Sequence, residues 1–550
     1  DGPQATAIDL KAAGGLNEAF DWLGSLDAVT LEVPAHVIRL REPTGLAWDN
    51  AAKQFAIDPH CWTTEDTNLC LENRVLAEAA GTAVIALDAY PLDRLDPFLP
   101  AETTLAGALG ADATVRWGED QPGGFSADLA LAIDDGGATV VDANEDPVSF
   151  LYDSLTLNAK VDPTDVDATL QIASDSLGNA RVTVQLDPAD EQRALAGNVD
   201  LDGFRIDFAK AFLPGFDAVS GTIDANGALS GFLTDPRFDG QIVLADPVVR
   251  SDTMPLAIEG GRITTNIKGK RAFVDGALES GGEGAIAIEG SANWQRLDAW
   301  RADVTLIGKA LELRQDPLTD ALVSHEITIG ARPGRVRVGG TVDIPYATID
   351  VADLPQGAAT LSDDIVVVED IDETADATAV DPPGALDLRV DVDVGLGDEV
   401  SLDAYGLKAR LSGDMSVSLR SPEPVQLGGE IRVIDGIFKQ YGQNLEASGQ
   451  IVFVGPVDRT ALDIQAIRRI TNEEPERIAG LKITGDIAEP DIGLFTEPAD
   501  KSEEAILSYV VLGRDLGAAS DQNQSLLAAA ALALSVRGGR TIGSGIADAI

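Results

Sequence analysis

Few side chains in this sequence are placed to do chemistry. The three histidines, His36, His60 and His325, lie far apart, and each has residues typical of strands or turns around it. We therefore expect them to be structural. No serine has glycine both two residues before and two residues after it, as the nucleophile turn of α/β-hydrolases requires, and there is no phosphate-binding G-x-x-x-x-G-K-[ST] loop. The residues predict no catalytic site and no cofactor, so we do not expect an enzyme.

A short acidic segment imitates the start of a calcium-binding loop at Asn198, Asp200, Asp202 and Gly203. The twelfth position of that loop is Ala209, where a glutamate that binds the ion through both oxygens is required. We interpret the segment as a strand that carries solvated acids. No metal site is predicted.

The two cysteines, Cys61 and Cys70, bracket the short polar stretch CWTTEDTNLC. Two cysteines so close together, with none elsewhere, predict one local disulfide formed in an oxidising compartment. Two free thiols are one alternative. A metal site shared with His60 is another, although it lacks a second cluster of ligands. Because the enclosed loop is short, a disulfide would hold one turn rather than the whole fold.

The composition limits the classes of partner. The 550 residues include 91 acidic and 40 basic side chains, for a net charge of −51. So negative a surface repels nucleic acid and argues against broad docking onto anionic lipid headgroups. The longest apolar run, residues 526–534, is shorter than the roughly 20 residues of a membrane helix. We therefore expect the chain as given to be soluble, with a signal or anchor segment either absent or cut away.

Apolar and polar residues alternate repeatedly from about residue 100 onward, the pattern of strands with one apolar face. The clearest cases are residues 386–396 and the pair 166–172 and 182–186, which the turn 174–179 would join as a hairpin. Gly, Asp, Asn and Pro interrupt the pattern about every ten residues, as in antiparallel structure. The fold class predicted is all-β: an elongated, curled antiparallel β-sheet groove, resembling a taco or an open β-helix, with a few short helices.

The helices are expected at residues 204–213, 501–513 and 525–536. For the second, Asp500 and Glu503 resemble a capping box and Gly513 ends the helix. The domains predicted are a β-rich segment with the local disulfide at 1–95, a repetitive β-groove at 96–368, an acidic, proline-bearing linker at 369–385 and a C-terminal β-domain with the last two helices at 386–550.

An amphipathic strand must hide its apolar face. One possibility is a sandwich in which two such sheets pack together. The other is an open trough lined by small aliphatic side chains and filled by acyl chains, in which a sixteen-carbon tail would gain on the order of 12 kcal/mol from burial. The residues predicted to line such a trough are Val182, Val184, Leu186, Leu386, Leu388, Val390, Val392, Val394, Leu396, Ile431, Val433, Ile451 and Phe453.

An ordered series of short motifs follows residue 386. Its members are LSG at 411–413, GEIRVIDGIFKQYGQ at 429–443, GQIVFVGP at 449–456, LDIQA at 462–466, GDIAEP at 485–490, FTEP at 495–498 and LGR at 512–514. This series resembles the C-terminal domain of the TamB family. Residues 362–368, the cysteine pair and the glycine- and proline-bearing hairpins resemble the same family more loosely.

The resemblance implies a periplasmic protein, anchored in the bacterial inner membrane, that moves phospholipid toward the outer membrane along a hydrophobic β-groove. It also implies a partner, the outer-membrane barrel TamA, met through a C-terminal tail that is largely missing here. We expect the inner-membrane anchor of the family to be missing from this sequence as well.

Two further functions compete with lipid transport. One is an assembly scaffold that offers sheet edges to outer-membrane β-barrel proteins and autotransporters by β-augmentation. The other is an adhesin or a β-helical sugar-processing enzyme. Sugar processing would need aromatic platforms and paired acids at one place, and only 5% of the residues are aromatic.

Overall fold

The computed structural model describes residues 7–515 and residue 527. Within that range it leaves out residues 34–35, 66, 78, 101, 142–145, 214, 252–255, 316–317, 352–385, 405, 441–442, 472–474 and 488. The chain divides into two compact units, Asp1–Gly276 and Ala277–Ile550. The domain limits expected from the sequence at residues 95, 368 and 385 stay predictions.

The first unit is built almost entirely of strands. They are β1 (Ala7–Leu16), β2 (Trp22–Val33), β3 (His36–Leu40), β4 (Thr44–Asp49), β5 (Gln54–Ile57), β6 (His60–Thr63), β7 (Asn68–Leu71), β8 (Val75–Ala77), β9 (Gly81–Pro91), β10 (Thr103–Trp117), β11 (Phe125–Val141), β12 (Pro147–Val161), β13 (Val166–Ser174), β14 (Gly178–Leu186), β15 (Leu195–Arg205), β16 (Ala218–Phe232), β17 (Asp235–Arg250) and β18 (Gly260–Gly269). The boundary between the units falls within β19 (Arg271–Ser280).

The second unit is also strand-rich. Its strands are β20 (Gly284–Asn293), β21 (Arg301–Gln315), β22 (Leu318–Arg332), β23 (Arg335–Val351), β24 (Asp387–Ala404), β25 (Leu407–Arg420), β26 (Gln426–Gln440), β27 (Gln443–Pro456), β28 (Ala461–Ile470), β29 (Arg477–Asp486) and β30 (Glu489–Glu497), and they are followed by helix α1 (Glu503–Leu512). Short 3₁₀ helices lie at Leu92–Phe98, Pro122–Gly124, Asp207–Phe212, Leu297–Ala299 and Val457–Arg459.

Sheet pairing follows the chain. From β9 to β18 each strand pairs antiparallel with the next, and the same holds from β20 to β23 and from β24 to β30. The expected hairpin forms between β13 and β14, with Ser174 opposite Gly178. The prediction of an all-β fold of mainly antiparallel strands with few helices is confirmed.

One pair departs from the antiparallel expectation. β24 runs parallel to β23, with Val338 beside Val390 and Val342 beside Val394. A parallel pair cannot be joined by a tight turn, because the chain must return to the same end of the sheet before the second strand starts. The connection here is long, and residues 352–385 of it, including the predicted linker, lie outside the described residues.

The helix after β30 starts later than the capping pattern suggests. Ser502 is its N-cap, and Asp500 instead pairs with Arg477 of β29, so the predicted capping role of Asp500 is wrong. The expected end is confirmed, because Gly513 adopts a left-handed conformation (φ 74°) that favours glycine. The expected segment 204–213 contains a 3₁₀ helix at Asp207–Phe212. Of the predicted segment 525–536, only Leu527 is among the described residues.

Candidate functional site

Two parallel rows of apolar residues cross the first unit from β9 to β18. Residues directly opposite each other on neighbouring strands point to the same face of a sheet. The strand register therefore shows which residues belong to the same row. The first row is Leu87, Ala111, Leu131, Leu157, Leu170, Val182, Val199, Gly227, Gly240 and Ile267. The second runs from β9 to β17 and is Ile85, Ala113, Leu129, Ala159, Ala168, Val184, Gly197, Leu229 and Phe238. We call the surface they form the apolar face of the first unit.

Among the described residues, no second layer of protein buries the apolar face of the first unit completely. Every member of both rows is partly buried, and none reaches the fully buried class. Side chains between two tightly packed sheets would be fully buried. Both clusters of fully buried hydrophobic residues found in the described part of the chain belong to the second unit.

Three of the predicted lining residues belong to this face. Val182 and Val184 are members of the two rows, and Leu186 continues the same face of β14, opposite Val166 on one side and Leu195 on the other. All three are partly buried. Strand β14 contributes its aliphatic side here because its apolar residues recur at every second position.

The other face of the same strands is polar. Thr183 lies opposite Thr169 and Asn198, and its hydroxyl oxygen accepts a hydrogen bond of 3.0 Å from the backbone N–H of Asn198. On β15, Asp200 accepts a 2.7 Å hydrogen bond from the amide of Asn226. The segment that imitates a calcium loop is therefore a strand carrying exposed polar side chains.

In the second unit the register again assembles apolar rows. One crosses from β20 to β26 through Ile288, Leu306, Ile327, Gly340, Val392, Val417 and Leu427. The predicted residues Leu388, Val390 and Val394 lie on the same face of β24 as Val392, and all are partly buried. Leu386 precedes β24 and keeps 52% of its surface exposed.

Other predicted residues lie where this face becomes a packed core. Val433 of β26 is only 2% exposed and belongs to a buried cluster with Ala321, Ala347 and Val400. Leu396 and Ile431 pack against that cluster. Ile451 and Phe453 lie on the same face of β27, with Ile451 opposite Ile431 and Phe453 opposite Gly429, and both are partly buried.

Helix α1 covers the face at the last strands. Leu507, Tyr509 and Val510, at most 2% exposed, form a second buried cluster with Ala479 and Leu481 of β29. Sequence reasoning identified the helix but not its position over the strands, because the helix is apolar around most of its circumference and its sequence does not single out one face for packing.

A buried arginine fixes the start of this helix. Arg477 is 5% exposed, and its guanidinium donates hydrogen bonds to the carbonyl of Pro498 at 3.0 Å and to the carboxylate of Asp500 at 3.1 Å. The hydrogen bond from Arg477 holds the pKa of Asp500 below its usual range. The pair joins the segment before α1 to β29, because the guanidinium belongs to β29 and the carboxylate lies just before the helix.

The cysteines and histidines that the sequence analysis considered for chemistry do not form one site. Cys61 and Cys70 lie opposite each other on β6 and β7 and form a disulfide, with their Cα atoms 4.0 Å apart. His60 hydrogen-bonds through Nδ1 to the carbonyl of Asp58 at 2.9 Å. His325 lies on the apolar face of β22 between Gly308 and Val342, and its Nδ1 has no hydrogen-bond partner among the described residues. The side chain of His36 is outside the description.

The described residues contain neither a cluster of metal ligands nor a helix that could span a membrane. No group of three or more His, Cys, Asp or Glu side chains within them is arranged to hold a metal ion. Among the same residues, no helix combines the length and apolar character needed to span a membrane.

Sequence reasoning missed most of the apolar face. Leu129 and Leu131 of β11 and Leu157 and Ala159 of β12 are as much part of it as Val182. Their alternation was readable in the sequence, but only the strand register shows that separate alternating segments share one face.

The chain is similar to known proteins over nearly its whole length. Residues 2–244 match the family model for the TamB N-terminal domain, and residues 275–550 match the model for the TamB C-terminal domain. A curated relative, the translocation and assembly module subunit TamB of Haemophilus influenzae, is 26% identical over 553 aligned positions. The alignment covers 98% of this chain and 42% of the relative, so the chain spans about two-fifths of the relative's length.

Proposed function

This chain belongs to the TamB family, and from that premise we propose that it carries phospholipid between the inner and outer membranes in the periplasm, with the acyl chains held against its apolar strand faces. The full-length protein would be anchored in the inner membrane and would work with the outer-membrane barrel TamA as part of a translocation and assembly module. No catalytic step is proposed.

The observation that carries the proposal is the apolar face of the first unit. Its first row crosses ten strands without a charged or polar member. At about 4.8 Å between neighbouring strands, such a row extends about 43 Å. Each methylene group of an acyl chain removed from water onto it contributes about 0.8 kcal/mol. A lipid tail can therefore move along the row without crossing a polar barrier.

The partial burial of the apolar face of the first unit supports lipid, and not a second protein layer, as its covering. Monomeric soluble proteins rarely leave large continuous apolar surfaces open to water. Ala111, Ala159, Ala168 and Val184 contribute small aliphatic side chains to this face, and short side chains occupy less of the space above a sheet than bulky ones do. An acyl chain has no fixed shape, and it suits a surface that offers continuous contact rather than specific pockets.

The exposure of strand β1 supports a second function. All ten residues of strand β1 (Ala7–Leu16) are exposed, and within the described residues β1 pairs only with β2. An open strand edge can accept a further strand by β-augmentation. This edge favours a scaffold for the assembly of outer-membrane β-barrel proteins and autotransporters as the alternative role.

Native mass spectrometry of the chain purified from a bacterial envelope distinguishes the two functions. If the chain carries lipid, several phospholipid molecules per chain should copurify with it and should be lost on delipidation. The matched comparison is the variant Val184→Arg, which should retain less lipid than Thr183→Arg on the polar face. A chain that carries no lipid, and that prefers unfolded barrel strands in a binding assay, would support the scaffold instead.

A further inference from the structure

The polar face of the second unit carries a concentration of arginines that its composition does not lead one to expect. The chain has 40 basic residues against 91 acidic ones. Nevertheless, among the described residues five arginines line one cavity of about 710 Å³, and the acidic residues in that part of its lining are Asp303 and Asp391. The five are Arg332, Arg335, Arg337, Arg389 and Arg420, and we call this cavity the arginine basin.

Three of these arginines lie in one row across adjacent strands. Arg389 of β24 is directly opposite Arg337 of β23 and directly opposite Arg420 of β25. Side chains so paired have Cβ atoms about 4.5–5.5 Å apart, and like charges in that position destabilise a sheet. The row therefore carries an energetic cost that a bound anion would relieve.

The acids within reach neutralise only part of this charge. Asp387 pairs with Arg335 at 2.8 Å and with Arg389 at 3.1 Å, so one carboxylate serves two guanidinium groups. The hydrogen bond from Arg389, followed by that from Arg335, lowers the pKa of Asp387. Arg337 and Arg420 have no ion-pair or hydrogen-bond partner among the described residues, and both are exposed.

The floor of the basin leaves room for a ligand. It contains Gly330 and Gly339, which have no side chain, and Thr305 and Thr328, whose side chains are short and hydroxylated. The hydroxyl of Thr328 donates a 3.1 Å hydrogen bond to the carbonyl of Gly339. The lining thus combines five arginines with glycines, threonines and the apolar residues Val304, Ile329 and Val338.

We propose that the arginine basin binds a phosphate group. A guanidinium presents parallel N–H donors that match the oxygens of phosphate, and several of them together exceed the affinity of single point charges. The phosphate could belong to a phospholipid headgroup or to a soluble phosphate compound. The side chains of Arg337 and Arg389 lie on the face opposite to those of Val338 and Val390, because successive residues of a strand point to opposite faces. This site therefore goes beyond the proposed lipid transport and does not depend on it.

The test compares the double variant Arg337→Gln/Arg420→Gln with the control Arg459→Gln/Arg514→Gln, which removes two exposed arginines of the same unit outside the basin. Calorimetric titration with inorganic phosphate should show affinity lowered at least tenfold in the basin variant and unchanged in the control. The variant Arg337→Lys keeps the positive charge but loses the parallel N–H donors of the guanidinium, and it should weaken binding as well. Equal thermal midpoints establish that the variants are folded.

A second arm identifies the source of the phosphate. Flotation with phosphatidylcholine vesicles, with and without phosphatidylglycerol, measures whether the protein binds the phosphate of lipid headgroups. Loss of vesicle binding in the basin variant supports a lipid headgroup, whereas unchanged vesicle binding with lost phosphate affinity supports a soluble ligand. If the wild type binds no phosphate in either form, or if the basin variant binds it as the wild type does, the proposal is overturned.

Discussion

Leu170 of β13 lies directly opposite Val182 of β14, and both side chains remain only partly buried. The same relationship repeats on each neighbouring strand from β9 to β18, so one face of the first unit is a continuous aliphatic surface. Individual contacts on this surface are unremarkable. Its continuity, and the absence of a fully buried residue from both rows, support its interpretation as a lipid-binding surface.

A charge on the apolar face should stop lipid transfer without unfolding the protein. Val184→Arg places a cation in the second row, where an acyl chain would have to pass a group that is costly to desolvate. Because Val184 is only partly buried, the long arginine side chain can reach water, and the fold should be retained. We expect transfer of fluorescent phospholipid between donor and acceptor vesicles to fall at least fivefold.

The matched control is Thr183→Arg, on the polar face of the same strand. Its transfer rate should stay within twofold of the wild type. Equal transfer by both variants would mean that lipid does not follow this face.

The packing of α1 should stabilise the second unit. Leu507 is 1% exposed in the buried cluster beneath the helix. We expect Leu507→Ala to lower the free energy of unfolding by about 2–5 kcal/mol, because it leaves a cavity among well-packed neighbours. Denaturant titration followed by circular dichroism measures this.

Glu503→Ala, at the exposed start of the same helix, is the control and should cost no more than about 1 kcal/mol. A loss for Leu507→Ala as small as that of the control would show that the helix is not docked as described.

The Arg477–Asp500 pair should make stability depend on acidity. The pKa of Asp500 lies below its ordinary value of 3.8 in the folded protein, so the folded state binds fewer protons than the unfolded state in mild acid. The pair's contribution is present above the ordinary pKa and is lost as the pH falls through the folded pKa. We expect Asp500→Asn to be less stable than the wild type at pH 6, with the difference shrinking below about pH 4.

Asp486→Asn, an exposed acid at the end of β29, serves as the comparison and should show little effect at either pH. Thermal melts from pH 3 to pH 7 provide the measurement. A constant difference between wild type and Asp500→Asn across this range would argue against the ion pair.

The disulfide should stabilise only its own hairpin. Cys61 and Cys70 are nine residues apart, and closing a loop of that size contributes about 2–3 kcal/mol in the chain-entropy description. In the double variant Cys61→Ser/Cys70→Ser, we expect faster hydrogen exchange in β6 and β7 and unchanged protection in β11–β14. Loss of protection in β11–β14 would show that the disulfide holds much more than one turn.

The sequence predicted the strands because their side chains alternate, and alternation depends only on local geometry. For example, Leu388, Val390 and Val392 were correctly assigned to one face of one strand. The pairing partner of that strand was not predictable. The parallel register of β24 with β23 depends on a connection that carries no strand pattern, whereas a hairpin such as β13–β14 is specified by its own short turn.

A long-range contact also explains why the predicted capping role of Asp500 near α1 was wrong. Asp500 has the right spacing for a helix cap, but a buried guanidinium from another strand attracts it more strongly than the first backbone N–H groups of the helix. The arginine basin was overlooked for a similar reason. Arg337, Arg389 and Arg420 are spread over more than eighty positions of the sequence, and only the register brings them into one row.

Site-specific photocrosslinking in growing cells tests the central claim most directly. A diazirine amino acid would be placed at Val184 and Val390 on the apolar faces, and at Thr183 and Asp393 on the polar faces of the same strands. We predict phospholipid adducts, identified by mass spectrometry, at the two valine positions and several-fold fewer at the polar positions. Equal adducts on both faces, or adducts at the valines only with unfolded barrel proteins, would contradict the claim that these faces carry lipid.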